Sequence, residues 1–482
     1  MAKSKPRFTR VAQLKSPQDF IEHLSTIETS LPFHEQLNPP GESVLGKSLT
    51  LKTGEKIGNR FCILPMEGWD GTADGLPTEH TKRRWHNFAI SGAKLLWGCE
   101  AVAVNREGRA NPNQLMINRG NLDAFRKLYT DVVATHEGKF GTSDDLLVGL
   151  QLTHSGRFAI PDLDRARKPK ILYRHSVLDK KFNLPEGYPV LSDEEIDNLV
   201  ADFVKAASLA KEAGFQFVDV KHCHGYLGHE FLSAKNRDGK YGGSLKNRMR
   251  FLTSIVEGIK ATSNIPVAVR LSAFDFVPYK KNDENIGIPE TLAEGYTEAF
   301  GGDTSGIGID LTEVFELLEY FEELGIEMVC ITAGSPYYVP HIQRPAIFPP
   351  SDGYLPPEDP LIGVARQIQI THEIKKRFPN LVIVGSAYSY LQEWLPHVAE
   401  AVVEEDMADF VGLGRMVLSY PEMPEDILKG STLVRGKICR TFSDCTTAPR
   451  IGMISGCFPL DSYYKKMPEG KLLKEYKKGI EL

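Results

Sequence analysis

Residues 217 to 233 read FVDVKHCHGYLGHEFLS, an apolar run that ends on Lys221, His222, His224 and Tyr226. A lysine can steady an anion or form a Schiff base, an imidazole can donate a hydrogen bond or move a proton near neutral pH, and a phenol can supply a proton. Alternation along a strand turns His222 away from the face that carries Lys221, so it is read as structural. The bland alternatives are a core histidine at 224 and a packing aromatic at 226. Polar groups also close other apolar runs. Gln151 and His154 follow LLVGL, and Arg270 sits inside VAVRLS, where an unpartnered cation is costly to bury. Gly385 and Ser386 end one run and Gly412, Gly414 and Arg415 another. Glycine lets backbone N–H groups approach an anion and arginine adds a forked charged contact, so these two ends together read as a phosphate site. Gln151 and Arg270 then suggest an electron-rich heterocycle attached to that phosphate.

Positioning these groups requires strands that end at one place. Eight runs qualify: RFCILP (60–65), AKLLWG (93–98), LLVGLQL (146–152), FQFVDV (215–220), IPVAVRLS (265–272), IEMVCITAG (326–334), LVIVGSA (381–387) and ADFVGLGR (408–415). Several lack the alternation of a half-exposed strand, as parallel strands covered on both faces do. Between the third and fourth, Ser192 caps a helix with Glu195 three positions on. Ile196, Leu199, Val200, Phe203, Ala207 and Ala210 form its apolar face, and Gly214 ends it. Eight strands with helical crossovers predict a (β/α)8 barrel, with an open doubly wound sheet as the second reading. In a barrel the site lies at the C-terminal strand ends, where the packet of Lys221, His222, His224 and Tyr226 falls. The barrel is expected over residues 46–420, between an N-terminal extension (1–45) and a C-terminal tail (421–482). Two stretches, 274–308 and 335–360, are too long for ordinary barrel loops and are candidates for lids or substrate walls.

The totals restrict the partners. The chain of 482 residues has a net charge of -6, a pI near 6.2, 41% hydrophobic and 25% charged residues. That balance indicates an ordinary globular core and no nucleic-acid partner. No apolar run is long enough to cross a bilayer, and MAKSKPRFTR lacks the apolar stretch of a secretory signal, so no membrane partner and a cytoplasmic location are expected. Cys62, Cys99, Cys223 and Cys330 lie in or beside apolar runs and are read as buried thiols.

Five motifs carry a more specific resemblance: NRFCILPM, QLTHSGR, HGYLGHEFLS with YGGSLKNRMRF, VAVRLS and FVGLGRMVL. Over roughly residues 46 to 420 the sequence resembles the old yellow enzyme family of FMN-dependent oxidoreductases, especially its 2,4-dienoyl-CoA reductase-like branch. The resemblance implies FMN across the barrel mouth, lined by Pro65 and Met66 with Glu67 nearby. Gln151 would bond its pyrimidine edge, Arg270 would sit at its N1/O2 edge, and Gly385, Ser386, Gly414 and Arg415 would hold its phosphate. It further implies hydride transfer from NAD(P)H through flavin N5 to an unsaturated carbonyl compound, gripped by Lys221 and His224 and protonated by Tyr226.

Three departures accompany the resemblance. Lys221 stands where histidine, tyrosine or a smaller residue is usual. Glu67 replaces a cysteine or threonine and could pair with Lys221 or act as a base. In CRTFSDCTTAPRIGMISGC (439–457), Cys445 and Cys457 keep an interval used by a 4Fe-4S cluster, but Ile438 and Thr441 occupy the places of the first two ligands. The broken spacing weighs against the cluster and for a relic segment of free thiols with no metal. The reading leaves open a dehydrogenase or demethylase, a catalytically reduced flavin subunit, a non-redox barrel using Lys221, and either a homo-oligomer or an electron-transfer partner.

Overall fold

The computed structural model describes residues 7–292 and 295–479. Outside that set lie the first six residues of MAKSKPRFTR, two positions of the 274–308 stretch and the last three of the tail. All eight apolar runs form strands: β1 (Phe61–Ile63), β2 (Leu95–Leu96), β3 (Leu147–Thr153), β4 (Phe217–Val220), β5 (Val267–Ser272), β6 (Met328–Thr332), β7 (Val382–Gly385) and β8 (Phe410–Leu413). Every neighbouring pair is parallel, and the ring closes as Val411 pairs with Phe61, Cys62 with Leu95, and Leu95 with Leu147. The fold is therefore a closed (β/α)8 barrel and not the open sheet. A short extra strand, Ala101–Ala103, lies beside β3.

The period of two along each strand sorts the side chains. Val148, Leu150, Val218, Val269, Val329, Ile383 and Val411 pack outward into the core shared with the helices. Cys62, Leu95, Leu147, Phe217, Ala268, Met328, Val382 and Phe410 form a separate cluster inside the barrel, joined by Leu51 and Ile57. Those last two come from a hairpin, Leu49–Thr50 with Lys56–Ile57, that plugs the N-terminal end. Gly149 is required in this interior, because a Cβ there would stand 2.3 Å from the Phe217 ring.

The crossover helix spans Asp193–Ala213 with the Ser192/Glu195 capping box, and Gly214 ends it at φ +110°. The helix packs on Leu122–Phe140 and Leu245–Ala261. The two long stretches meet above the barrel, where Tyr279 N–H donates to Tyr338 O at 3.0 Å. The tail contributes the helix Asp444–Arg450, tied back to the 335–360 stretch by Ser443 Oγ donating to Phe348 O at 2.6 Å and Ser351 N–H donating to Thr447 Oγ1 at 3.2 Å. Among the described residues no helix is long and apolar enough to cross a membrane.

Candidate active site

Continuing the inward register toward the C-terminal strand ends changes its chemistry from apolar to polar. Gln151 of β3, Lys221 just past β4, Arg270 of β5, Thr332 of β6, Ser386 just past β7, and Gly412 and Gly414 at β8 line one open cleft of about 1100 Å³, with Leu64, Pro65, Met66 and Glu67 following β1. Beneath it Asp219 organises the floor, accepting hydrogen bonds from Gln151 Nε2 (2.5 Å), Trp97 Nε1 (2.8 Å) and the backbone N–H of Arg270 (2.7 Å). Burial pushes this carboxyl up to about 6, against the opposing pull of those three donors.

The chain leaves β4 through two left-handed residues, His224 (φ +66°) and Gly225 (φ +77°), and this turn brings Lys221, His224 and Tyr226 to the cleft together. The conformation is uncommon for a histidine and is fixed by hydrogen bonds. His224 N–H donates to Ser272 Oγ at 3.1 Å, and Ser335 Oγ donates to His224 O at 2.8 Å. Burial, reinforced by Arg270 and Lys221, lowers the His224 pKa well below the usual histidine range, so the ring is a neutral imidazole. Lys221 Nζ donates to Glu67 Oε1 at 2.8 Å, the pairing anticipated from the two unusual residue types. Glu67 Oε2 accepts from Trp69 Nε1 at 2.9 Å and from the Tyr226 hydroxyl at 3.4 Å. Tyr226 and Tyr337 share a hydroxyl–hydroxyl bond of 2.9 Å, and Tyr337 stacks on Phe158 with ring centroids 4.1 Å apart. Burial raises Tyr226 well above the ordinary phenol range, with Glu67 and Tyr337 adding to it, so Tyr226 holds its proton throughout the working pH range.

His222 stays out of the cleft, as alternation requires, with Nδ1 2.9 Å from Val220 O. His154 is also outside it, with Nδ1 accepting from Gly156 N–H at 3.1 Å. Gly385 does not reach the cleft wall, whereas Ser386, Ala387, Ser389 and Gly412 do. The close approach of β8 to β7 needs Gly412, since a Cβ there would meet Gly385 O at 2.4 Å. Arg415 Nη2 donates to Pro345 O at 3.0 Å, while Nη1 is sealed from solvent without a partner, as is Arg270 Nε. The seven cysteines are free thiols, and Cys445 borders the cleft. Among the described residues no group of three or more His, Cys, Asp or Glu is placed to hold a metal ion.

Sequence reasoning missed part of the wall. Pro336, Gln343 and Arg344 come from the 335–360 stretch, whose role as a wall was expected without particular residues; Thr446, Pro449 and Arg450 come from the tail segment read only for its thiols. The unpartnered Arg415 donor near the β8 end, and the buried Gln151 amide with Arg270 over the Asp219 carboxylate, fit a planar polar heterocycle carrying an anionic tail, which is the form of FMN. Pro65, Met66, Glu67, Gln151 and Arg270 could hold the ring, and Ser386, Gly414 and Arg415 the phosphate.

Comparison with known proteins agrees. The model of the NADH:flavin oxidoreductase / NADH oxidase family matches residues 45–297. The NADPH dehydrogenase of Bacillus velezensis is 27% identical over 380 residues, covering 77% of this chain and 91% of that protein. In fold the chain is similar to a 2-naphthoyl-CoA reductase bound to 2-naphthoyl-CoA, with a TM-score of 0.65 at 18% identity. That match covers 89% of this chain and 58% of the other. An old yellow enzyme homologue from Zymomonas mobilis gives a TM-score of 0.55 at 22% identity, over 81% of this chain and 94% of that one. The chain belongs to the NADH:flavin oxidoreductase / NADH oxidase family and is an FMN-dependent NAD(P)H oxidoreductase.

Proposed function

We propose that the enzyme reduces an activated alkene, an enone or a dienoyl thioester, in the manner of the 2,4-dienoyl-CoA reductase-like branch. Lys221 and His224 grip the substrate carbonyl and Tyr226 protonates the α-carbon. The observation that carries the reading is the convergence of a neutral imidazole, a lysine and a protonated phenol on one cleft. Bound FMN would take hydride from NAD(P)H and supply it to the alkene.

The residues of the chain supply orientation and proton control. Arg270 and Gln151 would face the electron-rich edge of the cofactor ring, with Pro65, Met66 and Glu67 beside it. Ser386, Gly414 and Arg415 would hold its phosphate. Negative charge developing on the substrate oxygen is met by donors from His224 and Lys221. The proton lost from Tyr226 can be replaced through Tyr337, whose hydroxyl lies 2.9 Å away on a half-buried side chain. Lys221 Nζ, 4.1 Å from the centre of the Tyr226 ring, favours the phenolate left behind.

Stopped-flow measurement of the two half-reactions tests this assignment. Tyr226→Phe is expected to slow reoxidation by an enone by about 10²- to 10⁴-fold and to leave flavin reduction by NADPH within about twofold of wild type. Equal losses in both half-reactions would overturn the proton-donor role.

A further inference from the structure

We propose that Arg344 and Arg415 form a two-guanidinium clamp for a phosphate monoester dianion, and that the C-terminal helix Asp444–Arg450 holds the clamp in shape. The inference rests on the reading above, which puts the FMN phosphate at the ends of β7 and β8, and adds to it a residue from a different loop and a part for the tail.

The two arginines are joined through the backbone, because Arg415 Nη2 donates to the carbonyl of Pro345, the residue after Arg344, at 3.0 Å. Arg415 is only 9% exposed, and its Nη1 has no partner. Arg344 is half-buried as a residue, yet its Nε and Nη2 are sealed from solvent and equally unpartnered. Among the described residues neither guanidinium has a carboxylate within 4 Å, and both line the same cleft. Two neighbouring cations with three unpartnered donor nitrogens form an unfavourable arrangement unless an anion enters. Consistently, burial together with the positive charges of Arg450 and Arg415 lowers Arg344 to about 9. Two uncompensated positive charges match a phosphate dianion better than a single carboxylate, and guanidinium forks match its geometry.

The remaining donor of Arg344, Nη1, is given to Thr446 Oγ1 on the tail helix. That helix is fastened to the same loop by Arg450, whose Nη2 donates to Pro336 O at 3.1 Å. The aim of Arg344 therefore depends on the tail being docked, and anion binding and tail docking are thermodynamically linked.

The test is titration of the flavin-free protein with FMN and with riboflavin, which lacks the phosphate, followed by flavin fluorescence. Arg344→Gln is expected to weaken FMN binding about 10- to 100-fold while leaving riboflavin within about twofold. Thr446→Val should weaken FMN binding alone, about 3- to 10-fold. Arg344→Lys, which keeps the charge without the fork, should fall between wild type and Arg344→Gln. Melting temperatures of each flavin-free variant separate misfolding from lost contacts, and Arg344→Lys carries the test if Arg344→Gln does not fold. Parallel losses of FMN and riboflavin in a folded variant would overturn the clamp. So would unchanged FMN binding with a raised KM for NADPH but not NADH, which would assign Arg344 to the other phosphate monoester that visits this cleft. Arg415→Gln separates the two claims. If it loses FMN selectively and Arg344→Gln does not, only the clamp fails; if neither variant discriminates FMN from riboflavin, the phosphate placement itself fails.

Discussion

Buried arginines occur in two regions of this molecule and are treated in opposite ways. Away from the mouth most have carboxylate company, although Arg109 is held by the carbonyls of Ala73, Pro112 and Pro161 instead. Arg84 bridges Asp70 and Glu100, Arg157 bridges Asp179 and Glu230, and Arg248 pairs with Glu313. At the mouth, Arg270, Arg344 and Arg415 have no carboxylate within 4 Å among the described residues, and each keeps at least one sealed N–H without a partner. The cost of burying a cation is similar in both places, so the contrast lies in who supplies the counter-charge. For Arg84, Arg157 and Arg248 the chain supplies the counter-charge itself, and it leaves the cations at the mouth to a ligand.

The contrast can be broken experimentally, and the largest effect belongs to the flank. Arg84→Met strands two buried carboxylates and is expected to destabilise the fold by about 3–5 kcal/mol, read by denaturant unfolding. A loss under about 1 kcal/mol would erase the distinction. Glu100 already shows the strain of that environment, since burial lifts it to about 7 even with Arg84 bound.

A middle-sized effect comes from a third way of burying a titratable group, by keeping it neutral. Burial lowers His222 to about 4, against roughly 6.5 in an unfolded chain. Between those values the unfolded state binds more protons, so the contribution of His222 is present above pH 6.5 and lost as pH falls toward 4. Relative to His222→Gln, wild type is expected to lose about 2–3 kcal/mol between pH 7 and pH 4. Parallel pH profiles for the two proteins would show that His222 is not held neutral.

The smallest effect sharpens the contrast from the other side. Arg415→Met removes a cation that the apoprotein does not neutralise, so flavin-free stability is expected to change by no more than about 1 kcal/mol, or to rise. A melt of the flavin-free variant checks this, and a large drop would mean that Arg415 is structural.

Much of the site was legible because strand alternation is a short-range signal. Once LLVGLQL, FQFVDV and VAVRLS were strands, Gln151, Lys221 and Arg270 stood at or near C-terminal strand ends, where a barrel holds its site, and the family resemblance put Glu67 close enough to pair with Lys221. The capping box at Ser192 and Glu195 and the stop at Gly214 were equally local. Arg344 carried no such signal. It lies in a proline-rich loop without periodicity, and its partner Thr446 is 102 residues away on a segment read only for its thiols. Tyr337 was hidden in the same way, since its stacking on Phe158 joins loops following β6 and β3. Loop-to-loop contacts depend on tertiary packing, and one sequence alone does not encode them in a readable period.

The ion pair between Lys221 and Glu67 has a consequence for selectivity. A resting carbonyl oxygen, with little charge to offer, is a poor competitor against a carboxylate for the same ammonium. An oxygen that is becoming an enolate is a strong one. Under the proposed chemistry Lys221 would hold back from substrates at rest and commit as the reaction proceeds, so its grip would register in turnover more than in affinity.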